Sequence, residues 1–504
     1  MESFFLIQSF RLIRVIRISA LLFTMLLSLN YAFGQYQVDE NCKEAWLLLM
    51  DLRIKEAKRL LDKELENNPA NYYALYLKQT CDAYVLFINS DEDDYEDFLE
   101  DYETLRNVMD DKYIDSPYYL MCKSEMDIQV CYFRVIHGSV FGGIRKGYSG
   151  YREVYHNLDQ YPDFLPSLKL DGFFNSSLSN LPPFIRSAIA VFGVSSDFYY
   201  GMKTLKSVYE MQKSLKGINA ESALFILFAA KINKTPEMVY EFTQSFDKEG
   251  IGDLFLPKYF KANIEYRTGR NEQSLMTLSE LHYENSQYAE LIYNYMMGKV
   301  LLRKLDQNSG YFIEKYLENL KKEEYFKEMT YNLAVSFLLK GDKKKYNELC
   351  RIVREKGSDI NERDREALYD ASLDYEPEIL LVKSRLLLDG RYIRRFEKVI
   401  QNYEKESRNE LPYQLEYFFL KGRYYYLKNE KVKAITCFKK VLNMGQDEEY
   451  YFSCEAACYL GKIYEVEGDK NTAVMYYKKS VKLYKDKYYE YIGNLAEKAL
   501  KRLK

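Results

Sequence analysis

Apolar residues recur at i, i+3, i+4 and i+7 through most of the chain after residue 38, and no strand-like alternation persists. That spacing places apolar side chains on one face of an α-helix, so the pattern predicts an all-α protein. Turn residues interrupt the pattern, as between Asn68 and Asn71, where Pro69 closes a first unit of about residues 38–71. We therefore expect short helices joined by turns.

Two C-terminal units share one spacing of small and aromatic residues. Each has a small residue, an aromatic three positions later, a second small residue nine positions after that, and an aromatic four positions further on. These residues are Gly422, Tyr425, Ala434 and Phe438 in one unit, and Gly461, Tyr464, Ala473 and Tyr477 in the next. This is the tetratricopeptide repeat (TPR) pattern, in which a small residue lets the second helix of a pair approach the first. The predicted fold is a TPR-like α-solenoid, a right-handed superhelix of antiparallel helix pairs, with a non-canonical helical segment in the middle.

The pattern divides the chain into five predicted segments. They are a signal peptide (1–34), N-terminal TPR-like helices (35–136), a glycine-rich and apolar helical hairpin (137–215), further TPR-like repeats (216–487) and a C-terminal capping helix (488–504). The glycines of the third segment lack the phosphate-loop spacing, so we interpret them as positions of close helix contact. The apolar run 181–194 is either core or an exposed interaction surface.

Residues 1–34 have the form of a secretory signal peptide. Three arginines between residues 11 and 17 precede a mostly apolar run, Ile18 to Leu29, and small residues precede a cleavage point at Gln35. The apolar run is short compared with the roughly 20 residues that span a bilayer, which argues against an uncleaved anchor. We expect an exported protein, periplasmic or outer-membrane-associated, whose mature chain has no transmembrane span. Peripheral association with the envelope stays open.

Composition excludes several classes of function. The 504 residues contain 72 Lys and Arg against 75 Asp and Glu, and this balance does not favour nucleic acid. Histidine occurs only three times, and neither GxSxG nor HExxH is present. We therefore predict no enzyme activity, no cofactor and no metal site. The eight cysteines are interpreted as small buried residues, with a disulfide from Cys437 to Cys454 or Cys458 as the alternative.

The middle of the chain resembles a known family. The residues that carry the resemblance are Phe174-Asn175, Leu178, Leu181-Pro182-Pro183, the apolar run to Phe192-Gly193, Gly201-Met202 and Leu205, preceded by Gly143-Ile144-Arg145-Lys146 and Tyr151. They resemble the signature of the tetratricopeptide repeat protein 39 family, which includes the fungal inclusion-body-clearance proteins, and the likeness covers most of residues 38–500. It implies an all-helical protein that acts through binding. Its members are mostly intracellular, whereas the tyrosine-rich composition and signal sequence here are similar to exported TPR proteins of Bacteroidetes-type bacteria.

The first helices of TPR pairs face a groove, and repeat spacing nominates the residues that line it. The candidates for partner binding are Trp46, Phe419, Arg423, Tyr426, Lys462 and Glu465. Aromatic and arginine side chains supply much of the binding energy in protein interfaces, so the set suits a protein or peptide partner. Packing between helices is the alternative for Trp46. The predicted function is a non-enzymatic scaffold or adaptor at the cell envelope; the alternative is a carrier of a hydrophobic ligand or lipid through residues 137–204.

Overall fold

The structure is a computed structural model. It describes residues 36, 38–89, 91–111, 115–178, 196–213, 216–406, 408–485 and 490–503. The predicted signal peptide and the apolar run 181–194 lie outside the described residues. Within those ranges the chain forms 24 α-helices and no β-strand. The predicted all-α, TPR-like class is therefore confirmed, and the chain divides into two compact units.

Unit 1 consists of residues 1–261 and 281–289. Its helices are α1 (Glu40–Met50), α2 (Ile54–Asn67), α3 (Tyr72–Ile88), α4 (Glu92–Asp111), α5 (Pro117–Ile136), α6 (Val140–Gln160), α7 (Leu165–Leu178), α8 (Phe198–Met211), α9 (Lys216–Ile232) and α10 (Glu237–Thr243). Helix α11 (Phe255–Arg267) begins in unit 1 and ends in unit 2.

Unit 2 consists of residues 262–280 and 290–504. Its helices are α12 (Asn271–Ser279), α13 (Gln287–Arg303, which begins in unit 1), α14 (Ser309–Asn319), α15 (Phe326–Leu339), α16 (Lys343–Glu355), α17 (Glu362–Ala371), α18 (Ile379–Asp389), α19 (Ile393–Lys405), α20 (Leu411–Leu427), α21 (Lys431–Gly445), α22 (Phe452–Val466), α23 (Lys470–Leu483) and α24 (Glu490–Arg502). The division between the units falls inside the predicted repeat segment 216–487. It does not test the boundaries of the five predicted segments, which stay predictions.

Glycines bring the helices of the middle segment into close contact. A Cβ added at Gly143 of α6 would lie 2.8 Å from the carbonyl oxygen of Cys131 in α5, and one added at Gly150 would lie 2.9 Å from that of Ser124. Real Cβ atoms do not approach so closely, so α5 and α6 pack at this distance only because these positions carry no side chain. The interpretation of the glycines as helix-contact positions is confirmed for Gly143, Gly147 and Gly150, whereas Gly138 is a turn residue with a φ of 82°.

Within unit 1, the last helices return to the first. Helix α9 packs against α1, where Gly217 faces the side chain of Leu47. The Ser286 hydroxyl donates to the carbonyl oxygen of Leu52 at 2.6 Å, and the Phe255 amide donates to the Asp51 carboxylate at 2.9 Å. Buried polar groups satisfy each other at this closure, which fixes the order of helices in the unit.

The two clear repeats of unit 2 pair as the sequence predicts. Helix α20 packs on α21 and α22 on α23, and Ala434 and Ala473 are fully buried at these contacts. First helices are also neighbours, since α20 contacts both α18 and α22. Helix α24 packs on α22 and α23 and buries Ala496, the place expected of a cap.

Two further expectations concern the membrane and the cysteines. Of the helices described, none combines the length and the apolarity that crossing a bilayer requires.

All eight cysteines are free thiols, and six of them are buried. Cys454 contacts the Ser480 carbonyl oxygen at 3.2 Å rather than another cysteine. The cysteines are thus small packing residues, and the alternative disulfide does not form.

Candidate functional site

Six first helices of unit 2 are followed by a turn that contains a residue in the left-handed conformation. We call the residue six positions before that turn residue the inner position of the helix. Cations occupy this inner position in four of six helices, and Asn263 and Val335 occupy it in the others. The four cations are Lys299, Arg385, Arg423 and Lys462, which precede Leu305 (φ 56°), Arg391 (φ 57°), Asn429 (φ 58°) and Gly468 (φ 81°). Helices α18, α20 and α22 are successive neighbours, so Arg385, Arg423 and Lys462 form a cationic row. Val335 on α15 separates Lys299 from this row.

Arg423 forms the central ion pair of this row. Its Nη2 donates to Oδ1 of Asp389 on α18 at 2.7 Å, and both side chains keep between a fifth and a third of their surface exposed. Burial would raise the pKa of Asp389, but the guanidiniums of Arg423 and Arg303 outweigh it and lower that pKa. The Asp389 carboxylate therefore stays ionised and holds Arg423 across two helices.

Two tyrosines and a lysine extend the row toward α22. The Tyr459 ring stacks on Phe438 with centroids 5.0 Å apart and meets Tyr426 edge-on at 5.3 Å. The Lys462 ammonium lies 4.9 Å from the Tyr459 centroid, a cation–π contact. We call Asp389, Arg423, Tyr426, Tyr459 and Lys462 the inner patch. It presents both charges and two aromatic rings on a surface already held in place by packing.

The structure places Phe419 and Trp46 in the core, which corrects their assignment as groove residues. Phe419 is 1% exposed and its ring contacts those of Phe438 and Phe452. Trp46, in unit 1, is 4% exposed and its indole N–H donates to the Tyr73 hydroxyl at 2.9 Å. Both side chains are enclosed because aromatic rings at these positions face the neighbouring helices rather than solvent. For Trp46, packing is therefore the observed role.

Glu465 does not belong to the inner patch but bonds to residues of α23 and α24. Its Oε2 accepts from the Tyr477 hydroxyl at 2.7 Å, and its Oε1 accepts from Nη2 of Arg502 on α24 at 2.6 Å. The carboxylate thus ties the capping helix to the last repeat. Of the six sequence candidates, the structure brings Arg423, Tyr426 and Lys462 together and leaves Glu465, Phe419 and Trp46 outside this patch.

Sequence reasoning missed several members of the site. Asp389 and Arg385 lie in a repeat that has few of the small and aromatic residues of the TPR motif, although Gly390 is present at its turn. Counting back six residues from each turn would have found Arg385 and Lys299. Lys299 pairs with Glu328 at 2.6 Å, while the Tyr295 hydroxyl donates to the other oxygen of that carboxylate at 2.7 Å. An acidic partner from another helix accompanies the cation here, as at Arg423.

The charges of the inner patch are already engaged within the protein. Across the described residues, no group of three His, Cys, Asp or Glu side chains is placed to hold a metal ion. The ionisable groups of the inner patch are paired with neighbours of opposite charge or with aromatic rings.

Comparison with known proteins adds little to these contacts. No protein-family model and no curated protein matches the chain. Among solved structures, the human IFIT1 dimer with m7Gppp-AAAA is 13% identical over 89% of this chain and 90% of that chain, with a TM-score of 0.33. The APC/C hetero-tetramer Cut9–Hcn1 is 12% identical over 92% of this chain and 96% of that one, with a TM-score of 0.24. Likenesses this distant carry no argument about function, so function is argued from this chain's residues.

Proposed function

We propose that this protein is a non-enzymatic scaffold of the cell envelope that binds another polypeptide along the inner patch of unit 2. The observation that carries the proposal is the cationic row, in which Lys462 lies over the Tyr459 ring and that ring contacts Tyr426. Arg423, Lys462 and both tyrosines are partly exposed. Arginine and tyrosine are over-represented at the residues that dominate binding energy in protein interfaces. Preformed ion pairs fix the side chains before a partner arrives, which lowers the entropic cost of association.

Affinity capture from an envelope extract of the source cells tests this proposal. Arg423→Gln with Lys462→Gln is preferable to charge reversal, because a carboxylate at 423 would face Asp389 at ion-pair distance. We expect the double variant to lose at least about tenfold of the captured partner. Lys433→Gln with Lys470→Gln is the matched control, since both lysines are exposed and belong to second helices. Equal capture by both double variants would refute the role of the inner patch.

The envelope location rests on the signal peptide expected at residues 1–34. Cell fractionation followed by mass spectrometry of the mature N-terminus tests it. Export predicts an N-terminus at Gln35 and recovery from the periplasm or outer membrane. Retention of residues 1–34 in a cytoplasmic fraction would contradict it, without affecting binding by the inner patch.

A second candidate function is the carriage of a hydrophobic ligand by unit 1. It is favoured by aromatic side chains that are in mutual contact yet exposed: Phe87 and Tyr132 are 37% and 46% exposed, and Phe228 completes the group. Tyr132 and Phe228 hold the inner position in their helices, six residues before Gly138 and Lys234. Lipid extraction of the purified protein decides the question. Stoichiometric lipid that disappears in Tyr132→Ser would support carriage, and a lipid-free protein would argue against it.

A further inference from the structure

A cavity in unit 2 lies apart from the five residues of the inner patch. It has a volume of about 270 Å³ and opens between α16 and the segment 370–377 that joins α17 to α18. Tyr346 and Cys350 contribute one wall, and Tyr375 contributes the other. Ligand pockets in proteins typically measure about 300–1,000 Å³, so this cavity suits one side chain or an equally small molecule.

Negative charge runs from the mouth of the cavity to its interior. Asp374 and Glu376 are exposed lining residues, whereas Asp370 lines the cavity at only 9% exposure. The Tyr450 hydroxyl donates to Asp374 at 3.0 Å, and Lys343 pairs with Glu376 at 3.0 Å in a solvent-exposed contact. Exposed pairs of this kind are weak and open readily, so they leave the mouth acidic.

The cation that lines this cavity is already engaged by the backbone. Arg354 of α16 donates from Nη1 to the carbonyl oxygen of Ala371. Its guanidinium therefore braces the segment 370–377 against α16. Burial raises the pKa of Tyr375 and the charge of Glu416 adds to this effect, while Arg385 of α18 opposes it only in part.

A fourth carboxylate stands behind the lining. Glu416 of α20 is 4% exposed, and its Oε1 has no hydrogen-bond partner in the part of the chain that the structure describes. Burial raises the pKa of Glu416, Arg385 opposes that effect, and Asp370 adds to it. After burial, the charge of Glu416 contributes most to raising the pKa of Tyr375, so this carboxylate lies within electrostatic range of a residue that lines the cavity. A buried carboxylate oxygen without a hydrogen bond is costly, and a cation entering near it would lower that cost.

We propose that this cavity binds an organic cation, an ammonium or guanidinium group carried on a slender chain. Carboxylates at the base and mouth attract the charge, and the aromatic residues Tyr346 and Tyr375 in the lining are the type that makes cation–π contacts. The described carboxylates do not converge as three ligands of a metal ion, which favours a larger and softer cation. A lysine side chain of a partner and a free polyamine share this chemistry, and the experiment separates the two.

Isothermal titration calorimetry on the full-length mature chain tests the site with two probes, spermidine and the capped tripeptide acetyl-Gly-Lys-Gly-amide. Both are expected to bind, with affinity that falls as salt concentration rises. Asp370→Asn with Asp374→Asn is expected to weaken binding at least about tenfold. Glu355→Gln is the matched control, because Glu355 is an exposed carboxylate at the end of the same helix α16. Tighter binding of the tripeptide indicates a partner side chain, and tighter binding of spermidine indicates a free polyamine.

Glu416→Gln is a second variant, for the case in which substitution of the lining residues Asp370 and Asp374 unfolds the protein. It removes the charge of Glu416 with little change in side-chain volume, so cation binding should weaken. A purely structural Glu416 would change stability alone. The proposal is overturned if neither probe binds at about 1 mM, or if the variant Asp370→Asn with Asp374→Asn binds the probes normally. It is also overturned if a control tripeptide with norleucine in place of lysine, which has no charge, binds as well as the lysine tripeptide. These outcomes leave capture by Arg423 and Lys462 untouched, so the two proposals fail separately.

Discussion

Gly422 of α20 lies directly against the ring of Phe438 in α21. A Cβ added at Gly422 would stand 2.6 Å from Cε1 of that ring, and the same relationship holds 2.7 Å apart between Gly461 and Tyr477 in the next repeat. The glycine therefore determines how closely the two helices of a pair approach. Because the aromatic ring fills the space that the glycine leaves, the position in the first helix must be small where the position in the second helix is large.

Substitution of Gly422 tests that relationship. Gly422→Ala should destabilise unit 2 by about 1–3 kcal/mol, because the added methyl overpacks the contact despite the better helix propensity of alanine. Thermal denaturation followed by circular dichroism measures the change. Gly310→Ala is the control, since its added Cβ would stand no closer than 3.3 Å to any neighbour. In combination with Phe438→Leu, Gly422→Ala should cost less than it does alone. Additive costs would show that the two positions are independent.

A buried charge cluster in unit 1 predicts a pH-dependent stability. The Lys169 ammonium lies 2.8 Å from Glu221 and 3.1 Å from Glu125, and all three side chains are more than nine-tenths buried. Burial raises the pKa of Glu221 to about 7, the nearby Lys169 opposes this, and Glu125 adds to it. Two carboxylates that share one ammonium retain a proton that the unfolded chain releases near its ordinary pKa of about 4.3.

The direction of the effect follows from that proton. A raised carboxyl pKa in the folded state stabilises the fold below the ordinary pKa, and this contribution disappears as pH rises through about 7. We expect unit 1 to lose about 1–3 kcal/mol between pH 5 and pH 8. Trp46 is the only tryptophan and lies in unit 1, so its fluorescence in urea titrations reports this unit. Glu221→Gln should flatten the profile, whereas the exposed Glu210→Gln should not; a steep profile in Glu221→Gln would contradict the assignment.

The ion pair between Arg423 and Asp389 can be tested apart from any partner. Asp389→Ala leaves a partly buried guanidinium without its carboxylate, and we expect a loss of about 1–3 kcal/mol. Arg423→Ala should cost a similar amount, and the double variant should cost less than the sum. Urea denaturation of the four proteins gives the coupling energy. A coupling near zero would show that the pair is a surface contact of little weight.

The capping helix stabilises unit 2 through apolar burial more than through its salt bridge. Arg502 is well exposed, so Arg502→Ala should cost less than about 1 kcal/mol. Deletion of residues 490–504 uncovers Tyr477 and Ala473, and removes Ala496 from the same cluster. We expect that deletion to lower the melting temperature far more than Arg502→Ala does. Equal shifts in the two variants would mean that the Glu465 contact, rather than the apolar face, holds α24.

The helical class and the pairing of the last repeats could be predicted from sequence because both are local properties. A period of 3.6 residues, a glycine at a crossing and a turn residue all act within about 40 positions, the length of one repeat. The glycines after residue 137 likewise predicted close helix contacts, but the partner helix α5 lies before the segment 137–215 that was predicted to form the hairpin. Candidate site residues fared less well, because repeat numbering gives the direction of a side chain and not its surroundings.

Sequence by itself determined that the chain is all-α and that its helices pair through small and aromatic residues. Tertiary structure alone decided that Trp46 and Phe419 are core, that Arg423 pairs with Asp389, and that Glu416 is buried beside an acidic cavity. These facts depend on contacts between residues that are distant in the chain. Packing across helices fixes such contacts, whereas periodicity along one helix does not encode them.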